Sequence, residues 1–282
     1  MIPLTRQDVL AHQTQVPWPD LRQVEQDLLL SRSIVALFGD PFLRGQIAMR
    51  GGTVLHKVHL APASRYSEDI DLVVVGDRPE THVRAAIKRV LADVLGAPVR
   101  RALEAIRLAV RNAARPSRIL RLTWQIDSVA DSRHALNVVV EANVSERTPF
   151  RPVVDMQFGV NFRNASLDTV VRSFDIHEML GTKMRALFQR YRGRDLFDLY
   201  WALREPGGAH IDPREVIESF LYYMRLEGTP VSRRAFLKEL DLRLADAGFC
   251  ADMNSLLRTG LTYDPQQAGK VIRERLIARL PE

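Results

Sequence analysis

The sequence predicts an α+β protein: a small mixed sheet with flanking helices, followed by a helical C-terminal part. Three observations carry this. Ile70 to Val75 is a continuous, β-branched apolar run closed by Gly76-Asp77, the pattern of a buried strand. Ile119 to Ile126 and Leu136 to Val144 alternate apolar and polar side chains, the period of strands with one buried face. From Asp175 onward the apolar spacing is helical. A boundary is therefore expected near 165–175, with 1–170 strand-bearing and 171–282 helical.

The elements follow in order. Residues 19–37 form a helix that Asp20 can cap, with Leu21, Val24 and Leu28 near helical spacing, and Gly39-Asp40-Pro41 breaks it. Ile47-Ala48-Met49 is a short strand, and Gly51-Gly52 leads into a helix from Thr53 to about Leu60, stopped before Pro62. After the Ile70 strand, Pro79 to Leu95 places Val83, Ile87, Val90, Leu91 and Val94 on one helical face. Ala102 to Arg111 reads equally as helix or ragged strand. Val153 to Phe158 is a further strand after the turn at 127–133 and the Leu136 strand. The C-terminal helices are Ile176–Arg190, Asp195–Leu203, Pro213–Arg225, Arg234–Ala247 and Ala268–Leu280, with breaks at Gly193, Pro206-Gly207-Gly208 and Thr229-Pro230.

A chain of 282 residues, 46% hydrophobic and 26% charged, can bury a core without staples, which excludes a disordered chain or a fibre. Cys250 stands alone, so no intramolecular disulfide and no all-cysteine metal site can form. The net charge of +6 favours a polyanionic partner, nucleic acid first. Of the 40 basic residues only five are lysine, so each lysine stands out against an arginine background. No leader pattern and no membrane-spanning run is seen, and the expected place is the cytoplasm.

Four constellations can carry chemistry. The first is Gly51-Gly52-Thr53 followed by Arg65-Tyr66-Ser67-Glu68-Asp69-Ile70-Asp71. A Gly-Gly turn before a helix lets backbone approach a phosphate. Asp69 and Asp71, at i and i+2 on a strand, point the same way, and hard oxygens on one face suit Mg²⁺ bridging substrate phosphates. The second is Lys183, set among Ile176, Met179, Leu180, Met184 and Leu187 on a helical wheel, with Arg185 turned to solvent. A lysine in an apolar stripe must reach out to water or meet an anion. The third is Asp195 with Asp198 on an opening helical turn, where one of the pair caps the helix, holds Lys183 or contacts substrate. The fourth is Glu141, either a third acid beside Asp69 and Asp71 or an exposed cross-strand partner of an arginine.

The stretches Gly51 to Lys57 and Arg65 to Leu72 resemble the opening signature of the AbiEii/AbiGii toxins, nucleotidyltransferase-like proteins related to DNA polymerase β. Glu178 to Leu203, with Lys183, Arg185, Arg194-Asp195 and Asp198-Leu199, is similar to the family's helical signature, and Val140 to Asn143 with Glu146-Arg147 to its intervening strand. The resemblance covers about residues 45–205. It implies a polymerase-β-like core and the toxin half of a type IV toxin–antitoxin pair. As in the family's MenT-type members, the expected reaction moves a nucleotide from an NTP to the 3′ end of tRNA and so blocks aminoacylation. It implies catalytic roles for Asp69, Asp71, Lys183 and Asp195, and metal binding by Asp69, Asp71 and Glu141. Nucleotide contacts are implied for Gly51, Gly52, Thr53, Lys57, Ser67, Arg185 and Asp198. It further implies Mg²⁺ (Mn²⁺ as an alternative), a cognate antitoxin, a monomer, and Ser67 as a position open to silencing by phosphorylation. The alternatives are a protein acceptor, such as the antitoxin, or a non-catalytic nucleic-acid-binding or partner-binding module. One departure is the 16 residues between Gly52 and Asp69, a loop that must fold back for both to meet one nucleotide.

Overall fold

The computed structural model describes residues 4–96, 118–204 and 211–282 with their side chains, and the backbone of 103–108. Short helix α1 (Arg6–Gln13) precedes α2 (Leu21–Gly39), and Thr5 and Asp20 cap them by accepting from Asp8 N and Arg22 N. A one-turn helix α3 (Pro41–Arg44) leads into β1 (Ile47–Arg50). Helix α4 begins at Gly51, two residues earlier than the sequence predicts, and runs from Gly51–Val54 into a π-helical turn at Leu55–His59. There follow β2 (Asp69–Val74), α5 (Glu80–Leu95), β3 (Leu103–Leu108), β4 (Arg118–Asp127) and β5 (Ala135–Asn143). The ambiguity at 102–111 is resolved to strand for 103–108; the rest of it lies outside the described residues, as does the predicted break at 206–208.

Beyond β5 come β6 (Val154–Phe162) and β7 (Ala165–Ser173), a hairpin of which the sequence reading caught only the first half. The helices α6 (Ile176–Gln189), α7 (Gly193–Leu203), α8 (Pro213–Leu226), α9 (Arg233–Leu244), α10 (Ala247–Ala251) and α11 (Pro265–Arg275) complete the chain. Residue 170 falls inside β7, and one apolar core runs from the sheet through α6 to α11, including Ile70, Val140, Leu180, Met184, Phe220 and Ile272. No described helix is long and apolar enough to cross a membrane.

The seven strands form one mixed sheet in the order β3-β4-β5-β2-β1-β7-β6. β2 lies between parallel β5 and antiparallel β1, which explains its unbroken apolar run: both edges are paired and Ile70, Leu72, Val73 and Val74 are buried. α2 and α5 pack on one face of the sheet. The register builds the other face. Arg50 of β1 stands opposite Asp71 of β2, Asp71 opposite Glu141 of β5, and Glu141 opposite Arg121 of β4. Partners in register project to the same side. The four make a row across the sheet, two acids inside and an arginine at each end.

Candidate active site

A cleft of about 690 Å³ opens over that row, a size that suits a small-molecule substrate. Asp69, Asp71 and Glu141 line it from the sheet, Gly51, Gly52 and Ser67 from the turn side, and Lys183, Arg185 and Arg190 from α6 and its end. The long loop after Gly52 thus folds back, and the two segments of the opening motif meet.

The Gly-Gly turn is demanded by space as well as by conformation. Gly51 has φ +85°, and a Cβ there would overlap Asp71 Oδ2. A Cβ on Gly52 would overlap Arg65 Nη2 and lie 3.1 Å from Ser67 Oγ. The bare turn lets the Asp71 carboxylate lie directly against it. Thr53 is fully buried and does not face the cleft; its hydroxyl donates to the Asp69 carbonyl and lies 2.9 Å from Ser67 Oγ, bracing the strand that carries the acids.

Among the described residues neither Asp69 nor Asp71 has a hydrogen-bond donor or ion-pair partner for its carboxylate. Burial, then Asp71, then Glu141 push the Asp69 carboxyl up to about 7. Asp71 is raised too, by burial and then by Glu141. Glu141 is held by Arg121, so the arginine pairing and the position beside Asp71 are both realised in one side chain. No described group of three acids, histidines or cysteines already stands together as a metal cage. The donor chemistry nevertheless fits a divalent cation: hard carboxylate oxygens, crowded on one face and unneutralised. Asp69 and Asp71 are the residues that would hold it, with Glu141 across.

The opposite wall has the reverse balance. Lys183 is buried as its place in the apolar stripe requires, and its Nζ lies 2.7 Å from Asp198 and 3.3 Å from Asp195. Neither aspartate reaches the cleft; both are fully buried beneath it. This corrects the expectation of a nucleotide contact for Asp198, and it makes Asp195 a holder of Lys183 and Arg190. Burial works to raise the Asp195 carboxyl, but Lys183 and Arg190 outweigh it and hold it below the usual range. Asp198 lies lower still, with burial overcome by Arg65, Lys183 and His56. His56 donates from Nε2 to Asp198 at 2.8 Å and accepts at Nδ1 from Ser64, the pattern of a neutral imidazole, and burial drives its pKa down to about 4.

Two further corrections concern cations. Lys57 is not in the site: it is on the far side of the π-turn, bonded to buried Asp27 and to Ser31 in a separate groove. Arg185 is not a solvent-facing residue; it is half-buried on the cleft wall, paired with Glu146 and Glu227 and stacked over Tyr223. Arg50, Arg121 and Arg190 also line the cleft without being singled out by the sequence, and Arg65, part of the opening motif, has no role assigned there. In a chain so rich in arginine, composition gives no signal for them; only the register and the Arg65 position inside the opening motif could have found them.

Paired strand aspartates beside a Gly-Gly turn, closed over by a lysine-bearing helix, form the layout of a nucleotidyltransferase. The comparisons agree. The family described as "Nucleotidyl transferase AbiEii toxin, Type IV TA system" matches residues 33–271, and the chain belongs to that family. The description is that of a nucleotidyltransferase toxin of a type IV toxin–antitoxin system, which implies an antitoxin partner. A search of the curated proteins finds no significant relative. Among solved structures the fold is similar to that of MenT4, a nucleotidyltransferase toxin from Mycobacterium tuberculosis H37Rv, at a TM-score of 0.62 and 16% identity, covering 99% of this chain and 91% of that one.

Proposed function

We propose that this toxin transfers a nucleoside monophosphate from an NTP to the 3′ end of tRNA in the cytoplasm, acting as a monomer until its antitoxin binds. The observation that carries the reading is the division of charge across the cleft: unneutralised Asp69 and Asp71 on the sheet, cationic Lys183 and Arg190 facing them. A triphosphate needs both. Its metal-bound oxygens match the acids, and its free oxygens match the cations. Mg²⁺, or Mn²⁺ in its place, would supply charge neutralisation at the phosphates when held by Asp69 and Asp71.

The chain's own groups do the rest. Lys183 and Arg190 hold the triphosphate against the Gly51-Gly52 turn, with Ser67 beside it. The acceptor 3′-hydroxyl oxygen attacks the α-phosphorus, the bond to the β-bridging oxygen breaks, and pyrophosphate leaves. Asp69 would accept the hydroxyl proton as the new bond forms. The cleft's excess of cationic over anionic side chains favours an RNA backbone at its mouth.

The test is incubation of the protein with each labelled NTP, Mg²⁺ and total tRNA. Label appears in RNase-sensitive product with wild type and is lost with Asp69→Ala. RNase-resistant label on protein would instead identify a protein acceptor. No transfer with any of the NTPs would refute the reaction.

A further inference from the structure

We infer that Arg65 is a positioning residue of this site, a buried guanidinium that ties the Gly51-Gly52 turn to the Asp198–Lys183 pair. The inference rests on the reading of the cleft as an NTP site. Arg65 is only 2% exposed. Its Nε lies 2.6 Å from Asp198 Oδ1 and its Nη2 2.8 Å from Oδ2, a forked pair, while Nη1 donates to the Tyr66 carbonyl at 2.9 Å. The same Nη2 occupies the space a side chain at Gly52 would need. Asp198 in turn binds Lys183. The order of contact is therefore turn, Arg65, Asp198, Lys183, and it links the two walls of the cleft through buried groups.

The charge count explains why the link matters. Arg65, Lys183 and Arg190 of the cleft lining meet Asp195 and Asp198 beneath it, leaving one positive charge in excess. That excess serves a triphosphate only if Lys183 keeps its place. With Arg65 gone, Asp198 is free to close more tightly on Lys183 and draw the ammonium inward. Lysine cannot replace arginine here, because a single ammonium cannot span both carboxylate oxygens and pack flat under the turn. Arg65 also precedes Asp69 by four residues, so the segment that delivers the metal-binding acids delivers the fork as well.

The test uses the full chain, the four NTPs in fluorescently labelled form with Mg²⁺, and the variants Arg65→Lys, Gly52→Ala and their combination. Thermal melts check the fold, while NTP Kd, KM and kcat report the site. Arg65→Lys should stay folded and weaken NTP binding by roughly tenfold or more, the loss of about one charge-assisted hydrogen bond. Gly52→Ala should do the same by displacing Nη2. The double variant should bind no worse than Arg65→Lys, since both changes break one contact. Folded Arg65→Lys with wild-type Kd and KM, or losses that multiply in the double variant, would overturn the inference. Wild-type binding by Gly52→Ala overturns it even where Arg65→Lys fails to fold. Failure of the wild type to bind any NTP refutes the NTP site itself, and with it the inference.

Discussion

Asp198→Asn separates a buried structural carboxylate from a substrate contact. The substitution keeps the shape of the side chain and removes its charge. Asp198 is fully buried and touches Arg65 through two bonds, Lys183 through one and His56 through one. Without it, Arg65, Lys183 and Arg190 are left with only Asp195 to compensate them. Removing one partner of a buried pair costs about 3–5 kcal/mol because the other charge is left desolvated. At an unfolding entropy of about 2 cal/mol/K per residue, a chain of this length loses about 2 °C in Tm per kcal/mol, so Asp198→Asn should melt about 5–9 °C lower. Differential scanning calorimetry reads this directly. Lys183→Met alone is also destabilising, since it removes the buried cation that bridges Asp195 and Asp198. The two changes together should cost less than the sum by at least about 1 kcal/mol, because each removes the charge the other leaves stranded. A Tm within about 2 °C of wild type, or strict additivity of the two changes, would refute the buried-keystone reading. A carboxylate that merely contacted the nucleotide would lose binding and leave Tm unmoved.

Four other outcomes follow from the geometry. His56 and His59 are each held near pKa 4, mainly by burial, whereas unfolded histidines titrate near 6.5; the unfolded state therefore binds more protons between these values. Stability from burying them neutral is complete above about pH 6.5 and is lost as pH falls toward about 4, by up to ~3 kcal/mol for each, and urea unfolding that is flat between about pH 7 and pH 5 would contradict this. Lys57→Met should leave the NTP Kd unchanged while destabilising the fold by about 3 kcal/mol, because buried Asp27 loses the Lys57 ammonium; a change in Kd would return Lys57 to the site. Gly51→Ala should abolish nucleotide transfer while costing about 1–2 kcal/mol in backbone strain, since its Cβ must displace the Asp71 carboxylate; transfer at wild-type rate would exclude the close packing of turn and acid. Mg²⁺ should raise Tm by relieving repulsion among Asp69, Asp71 and Glu141, while Asp69→Asn should raise the metal-free Tm and blunt the Mg²⁺ response, a pair of shifts that calorimetry with and without EDTA would show or deny.

What the sequence disclosed depended on whether the relevant pattern was local. The β2 run and the stripe around Lys183 are each written within a dozen residues and stand where the pattern puts them, while the helix after β1 starts at Gly51 rather than Thr53. The second strand of the β6–β7 hairpin was missed because its faces are half-exposed: Ser166, Asp168 and Thr169 interrupt any apolar period. The π-turn at 55–59 has no sequence signal in propensity, and on it Lys57 meets Asp27 while His56 meets Asp198. Arg185 was misread for another reason. A helical wheel identifies the apolar stripe but cannot know that Glu146 and Glu227, 39 and 42 residues away, would make a polar face buriable.

The two acid pairs show most clearly why residue type alone could not assign roles. Asp69 with Asp71 and Asp195 with Asp198 look alike as sequence: short spacing, each near the start of an element. Their environments push them in opposite directions. The strand pair faces Glu141 across the sheet and has no donor of its own, so burial and repulsion raise both carboxyls and leave an unmet demand for positive charge. The helix pair is met by Lys183, Arg190 and Arg65, so the same burial is outweighed and both carboxyls are depressed. An acid pair that lacks cations can recruit one from solution; a pair already saturated can only hold cations in place. The partition follows from sheet register on one side and from helix packing on the other, both of them long-range. It is this separation, a cation-hungry wall facing a cation-bearing one across about 690 Å³, that gives a metal-bound triphosphate two complementary surfaces.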